Sequence, residues 1–168
     1  MIFTNYKLPQ SRMNLKTAQW GIDQLEKQLQ GYAFRFHVLG VAAALRTVQH
    51  ALIASDRNLT PDHARLIDDW KRNTPLTTPE LAFIMFARNN ILKAGRFEAY
   101  AVSSQSRTGG DDNYEVTSTS YEMEYYNNEG ERRELLPDFK WAAAWCDKQL
   151  TALETLLPYP QHKDEGGR

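Results

Sequence analysis

The chain has 168 residues, of which 42% are apolar, 24% charged and 11% aromatic, a balance that suits one globular core and excludes a disordered or collagen-like chain. Twenty basic against 21 acidic side chains leave a net charge of −1, so no basic excess is present to coat nucleic acid through its phosphates. A single cysteine, Cys146, excludes an internal disulfide; with no charged-then-apolar leader and no apolar run of spanning length read in the sequence, the expected home is cytoplasmic, with no membrane partner.

Over residues 14–30, Leu15, Ala18, Ile22, Leu25 and Leu29 recur every three or four positions and predict an amphipathic helix, with Trp20 off the stripe and Gly31 as an interruption. A second helix is expected over 32–55. Its centre, Val38 to Leu45, is apolar nearly all round, which places it inside a bundle, and Gly40 with its alanines suits close approach of a neighbour. Thr60-Pro61-Asp62 reads as N-cap, first turn and dipole-matched acid of a third helix ending near Asn73. Thr78-Pro79-Glu80 repeats that signal for a fourth helix over 79–94, with Gly95 as its C-cap.

Between 97 and 136 the period changes to two. Thr117, Thr119, Tyr121, Met123 and Tyr125 alternate with more polar positions, Asn127 to Gly130 reads as a turn, and 131–135 returns as the second strand. Arg132 or Arg133 would then face Glu122 or Glu124. Residues 103–113 have loop composition and are expected to be mobile. A last helix opens at Pro137-Asp138, carries Trp141, Trp145, Leu150, Leu153 and Leu157, and stops at Pro158. The predicted fold is mainly α: an up-and-down bundle of about five helices with an inserted β-hairpin at about 114–136. One domain is expected over 1–157, with the insertion occupying 97–136, and a disordered tail over 158–168.

Charge is divided along the chain. Residues 1–95 hold 12 basic and 7 acidic side chains, a net +5, and 96–135 hold 4 and 9, a net −5. A basic helical body and an acidic hairpin either match one another or leave one face open to a charged partner.

The familiar catalytic spacings are absent: there is no Cys-x-x-Cys, His-Glu-x-x-His, Gly-x-Gly-x-x-Gly, P-loop or Gly-x-Ser-x-Gly. His37, His50, His63 and His162 are scattered, and a His50–His63 pair has no third ligand at a supporting spacing, so no metal and no cofactor is expected. Cys146 beside Trp145 reads as a buried hydrophobe. The informative segment lies in the fourth helix, where Leu81, Ile84, Met85, Arg88, Ile91 and Leu92 share one face. A guanidinium in that stripe cannot shed its charge, so it needs a carboxylate, several carbonyls, a subunit interface or a ligand's phosphate. On the structural reading it snorkels to water or pairs with Asp68, Asp69 or Glu98. Arg46 repeats the problem on the second helix, where Leu39, Ala42, Ala43, Gln49 and Ile53 lie on its side. His37, near Phe34, Val38 and Val41, reads first as a core histidine, and the Tyr121, Met123, Tyr125 stripe as packing.

At these residues the chain resembles HEPN domains, small helical bundles many of which are RNA-cutting toxins or noncatalytic companions in defence systems. The resemblance spans roughly 32–95 and is carried by the Ala-Ala-Ala-Leu-Arg-Thr-Val core around Arg46 and by the pair Arg88-Asn89, which matches the family's arginine-polar motif. The positions where the motif's histidine would fall hold Lys93, Ala94 and Gly95. The family's chemistry, attack of an RNA 2′-hydroxyl on its neighbouring phosphate without a metal, asks for a group that exchanges protons near neutral pH; an ordinary lysine, at about 10.4, does not.

The resemblance therefore implies a noncatalytic HEPN-like binding protein, a homodimer across the helix that bears Arg88, with a toxin-antitoxin or other defence system as its expected setting. Arg88, Asn89, Lys93, Arg46 and His37 are its candidate pocket for RNA, a nucleotide or another phosphate-bearing ligand, or for a partner protein. Two alternatives stand beside it. One is an endoribonuclease in which Lys93 or a histidine, His37 foremost, supplies the missing proton transfer. The other is an immunity or adaptor protein whose acidic hairpin meets a basic partner.

Overall fold

The computed structural model describes residues 6–27, 31–90, 100–108, 115–127 and 129–158. Among these, five helices run up and down: α1 (Pro9–Glu26), α2 (Gly31–Ala54), α3 (Pro61–Asn73), α4 (Pro79–Arg88) and α5 (Leu135–Leu156). Between α4 and α5 lies an antiparallel sheet of β1 (Tyr100–Thr108), β2 (Glu115–Tyr126) and β3 (Arg132–Glu134), in that spatial order. The architecture is the expected helical bundle with an inserted hairpin.

The bundle closes around α2, which packs most extensively on α1 and also meets α3, α4 and α5. Leu15, Ala18, Ile22 and Leu25 of α1, Val38, Val41, Leu45, Val48 and Leu52 of α2, Leu81 and Ile84 of α4, and Phe139, Cys146 and Leu150 of α5 form one buried core. By length and composition Ala33–Asn58 is apolar enough to cross a membrane, which corrects the expectation that no such run exists; half of its most apolar window is buried inside the bundle.

The close helix approach is made by a different glycine from the expected one. A methyl placed on Gly21 of α1 would lie 2.6 Å from Val41 Cγ2, whereas around Gly40 nothing lies within 4 Å. The α1–α2 crossing therefore depends on Gly21, and Gly40 faces outward.

The start of α1 lies five residues before the expected one because its cap is remote. Leu8 offers no side-chain cap, and instead the Asp56 carboxylate accepts from the backbone N–H groups of Gln10 (3.1 Å) and Ser11 (2.9 Å) and from Ser11 Oγ (2.5 Å). Asp56 sits in a short 3-10 turn after α2, 1% exposed, and does for α1 what a local Ser or Asp does elsewhere.

Residues 103–108, expected as part of a loop, belong to β1. They pair with β2 from Tyr100 opposite Glu124 to Thr108 opposite Glu115, with a bulge at Ser106/Arg107. The serine-rich composition hides a strand whose backbone is satisfied by its neighbour. The β2–β3 hairpin forms as expected: Asn127 Oδ1 accepts from the N–H groups of Glu129 (3.0 Å) and Glu131 (2.9 Å), Gly130 takes a φ of 78°, and Arg132 pairs with Glu124. α5 starts at Leu135, two residues before Pro137, which fits inside its first turn. The expected stretch of the fourth helix over 91–94, the remainder of the loop over 109–113 and the tail from 159 lie outside the described residues.

Candidate functional site

The fourth helix buries Leu81, Ile84 and Ala87, so its next residue, Arg88, is carried half-buried to the side that packs on α2. Beyond Arg88 the helix widens into a π turn at 89–90, a local irregularity that re-aims side chains. There Arg88 Nη1 donates to Asn89 Oδ1 at 3.0 Å, and Asn90 Nδ2 donates to the Phe86 carbonyl at 3.2 Å. On α2, Arg46 is also half-buried and its Nη1 donates to Gln49 Oε1, one turn further along.

The two guanidiniums are near enough for the charge of one to act on the other, and neither has a counterion among the described residues. Burial lowers the Arg46 pKa first, and the positive charge of Arg88 lowers it further. Neither arginine has a carboxylate partner among those residues, whereas Arg12, Arg57, Arg65, Arg72, Arg132 and Arg133 each do. Two carboxylates expected as partners for Arg88 are taken: Asp68 accepts both Nε and Nη2 of Arg57 at 2.8 Å, and Asp69 pairs with Arg72. Glu98 lies outside the described residues. An arginine stays charged under any such shift, so the pair is a fixed positive charge that no carboxylate among the described residues balances.

Arg46 opens onto a groove of about 430 Å³ between α2 and α3. Arg46, Gln49, His50 and Ile53 form its α2 wall, Trp70 and Lys71 its α3 wall, and Pro75 and Leu76 close one end; no acidic residue among those described lines it. Trp70 Nε1 donates to Gln149 Oε1 at 3.0 Å, which fixes the indole. The groove thus combines basic groups with an aromatic and aliphatic wall.

Of the five sequence candidates, Arg88 and Asn89 touch, and Arg88 lies near enough for its charge to act on Arg46; the groove itself is lined by Arg46 and not by Arg88 or Asn89. His37 lies elsewhere: nine residues before Arg46 is about 13 Å along a helix and half a turn round it. Its ring rests 5.4 Å from Trp20 and 5.5 Å from Phe36. Lys93 lies outside the described residues. His50, weighed in the sequence only as a metal ligand, shares the groove with Arg46; positions 46, 49, 50 and 53 are one helical face, a signal readable without a structure. The contribution of Trp70 and Lys71 depends on how α3 docks and has no sequence signal.

His63 is fully buried, its Nδ1 bonded to Thr60 Oγ1 at 2.7 Å and its Nε2 to the Lys7 carbonyl at 2.9 Å, so it is a structural residue. No cluster of three metal-ligating side chains exists among the described residues. Cys146 is buried as expected, and desolvation pushes its thiol up to about 12, which keeps it protonated and inert. The best-seated arginine is one that sequence reasoning passed over: Arg12 gives Nε (2.9 Å) and Nη2 (2.6 Å) to Glu154, Nη2 (2.8 Å) to Thr151 and Nη1 to Asp147, joining α1 to α5. No family model, no curated protein and no solved structure matches the chain.

Proposed function

We propose that the chain is a noncatalytic, HEPN-like binding protein that receives a phosphate-bearing ligand, a nucleotide or RNA, beside Arg46 and Arg88. The observation that carries the reading is two like-charged, half-buried guanidiniums whose charges act on one another and whose side-chain partners among the described residues are neutral amides. Such a pair destabilises the free protein, and a phosphate relieves it with short charge-assisted hydrogen bonds. Lys71 adds positive charge along the same groove and His50 a hydrogen-bonding ring, and Trp70 and Leu76 supply surface for an apolar portion of the ligand. A homodimer across the Arg88 helix, with a role in a defence or toxin-antitoxin system, belongs to the same proposal and rests on the resemblance alone.

The test is a melting series with inorganic phosphate, adenosine monophosphate and a short single-stranded RNA, against sodium chloride at equal ionic strength. The phosphate compounds should raise the melting temperature of the parent chain, as any ligand of the folded state does. Arg46→Gln and Arg88→Gln should lose that response while melting at or above the parent temperature, since each relieves repulsion. A response that survives both substitutions, or none in the parent, rejects the proposal. Light scattering reads the dimer separately.

One observation favours an endoribonuclease as the second reading: His50 places an imidazole, the side chain most often used for general acid–base catalysis, in the groove that Arg46 lines. Cleavage of a mixed RNA pool by the parent, lost in His50→Ala and Arg88→Ala, would establish it; equal, negligible cleavage by all three removes it.

A further inference from the structure

A second groove, of about 300 Å³, lies where α4, the β2–β3 hairpin and the start of α5 meet, and it shares no residue with the first. Its wall is aromatic. Phe86 lies 5.7 Å from Tyr125, Tyr125 6.0 Å from Phe83, and Phe83 6.4 Å from Trp141, centroid to centroid, so four rings pack one against the next along the wall. The inner two are pinned: Phe83 also packs on Phe139 at 5.9 Å, and Tyr125, 3% exposed, donates its hydroxyl to Asp138 Oδ2 at 2.7 Å. The outer two, half-buried Phe86 and Trp141 at 40% exposure, present ring surface to the opening.

The rim is acidic. Glu129 and Glu131 line it from the hairpin turn, held there by Asn127, whose Oδ1 accepts from both backbone N–H groups and whose Nδ2 donates to Glu131 Oε2 at 3.0 Å. The one cation that lines it among the described residues, Arg133, is committed to Asp138 through Nε (2.9 Å) and Nη2 (2.8 Å), so those two charges cancel and the two glutamates set the sign.

We propose that this groove binds a small alkylammonium, a quaternary amine such as choline being the type. Ring faces attract a weakly hydrated cation through their quadrupoles, and the glutamates add Coulombic attraction without contacting it. A neutral apolar ligand would gain from the rings alone. A cationic group gains from both, and the groove's volume suits a small molecule and not a docked helix.

The experiment is calorimetric titration of the full chain with choline, and in parallel with 3,3-dimethylbutan-1-ol, its neutral isostere. Choline should bind, and the isostere should bind at least fivefold more weakly. Trp141→Leu should weaken choline roughly two- to fivefold or more. Because Trp141 also packs on Phe83, the exposed pair Glu129→Gln/Glu131→Gln serves as the second variant; it should weaken choline several-fold, leave the isostere unchanged and keep the melting temperature. Equal affinity for choline and the isostere would make the groove merely apolar and overturn the proposal, as would no choline binding at millimolar concentration. Binding unaffected by either variant would place the ligand elsewhere and overturn it too. Phosphate binding at Arg46 is unaffected by any of these outcomes.

Discussion

Gly21 and Gly40 both occupy helix interiors, and the same substitution should act on them with opposite sign. At Gly21 an alanine methyl would come within 2.6 Å of Val41 Cγ2. Val41 is fully buried, and a β-branched side chain in a helix has essentially one rotamer, so it cannot swing aside. Either it leaves that rotamer or α1 and α2 separate, and overpacking of this kind costs about 1–3 kcal/mol. Against this stands the gain of about 0.5–1 kcal/mol for replacing glycine inside a helix. The overlap wins, and Gly21→Ala should destabilise by about 0.5–2 kcal/mol. At Gly40, with no atom within 4 Å, only the helix gain remains, so Gly40→Ala should stabilise by about 0.5–1 kcal/mol. Urea unfolding reads both, and the melting temperature should move roughly 2–4 °C per kcal/mol for a domain of this size. The cycle of Gly21→Ala with Val41→Ala isolates the contact, because truncating Val41 removes the methyl that clashes; the double variant should be less destabilised than the sum of the singles. Gly21→Ala at or above parent stability, or a cycle with no coupling, would refute the account of the α1–α2 crossing.

Asp56→Asn replaces an acceptor of three hydrogen bonds by a group that presents N–H to N–H, and should cost about 2–4 kcal/mol with early loss of amide protection at the start of α1. Burial raises the Asp56 pKa above the ordinary carboxyl value, more than its hydrogen bonds lower it. Folding therefore favours its protonated form, so this group's contribution grows as pH falls through the folded-state pKa, is complete below the unfolded one, and is lost as pH rises. Urea unfolding from about pH 6 to about pH 3 should show the parent gaining on Asp56→Asn as the solution is acidified. Arg12→Met leaves Glu154 largely buried without its guanidinium and should cost about 3–5 kcal/mol, with much of it recovered in Arg12→Met/Glu154→Gln. At pH 8 a thiol with a pKa of about 12 is roughly one part in ten thousand thiolate. Cys146 should accordingly react with a disulfide reagent only as fast as the chain opens, and at once in denaturant.

How far the sequence carries depends on whether an element holds its own stop and start signals. α3 is legible because Thr60 supplies its cap locally, its Oγ1 accepting from the His63 N–H at 3.3 Å, and both ends fall where Thr60-Pro61 and Asn73 indicate. α1 is misread at its start because the cap arrives from Asp56, which is adjacent only after α2 has turned the chain back. β1 fails for a similar reason: its serines carry no alternation, and the strand exists through pairing with β2. The two glycines could not be ranked either, since only the crossing of α1 on α2 distinguishes them. The candidate site divides the same way. That two arginines ride on apolar faces can be read from spacing; that the charge of one reaches the other cannot, and neither can the engagement of Asp68 by Arg57 and of Asp69 by Arg72, which leaves Arg88 with an amide among the described residues. A lone buried cation in a sequence poses the question of its counterion. With Asp68 and Asp69 taken and no other carboxylate beside either arginine among the described residues, an external anion becomes the better answer, and Arg46→Gln and Arg88→Gln test that step directly. Their expected stability at or above that of the parent is the one outcome that a concealed protein carboxylate beside either arginine would reverse.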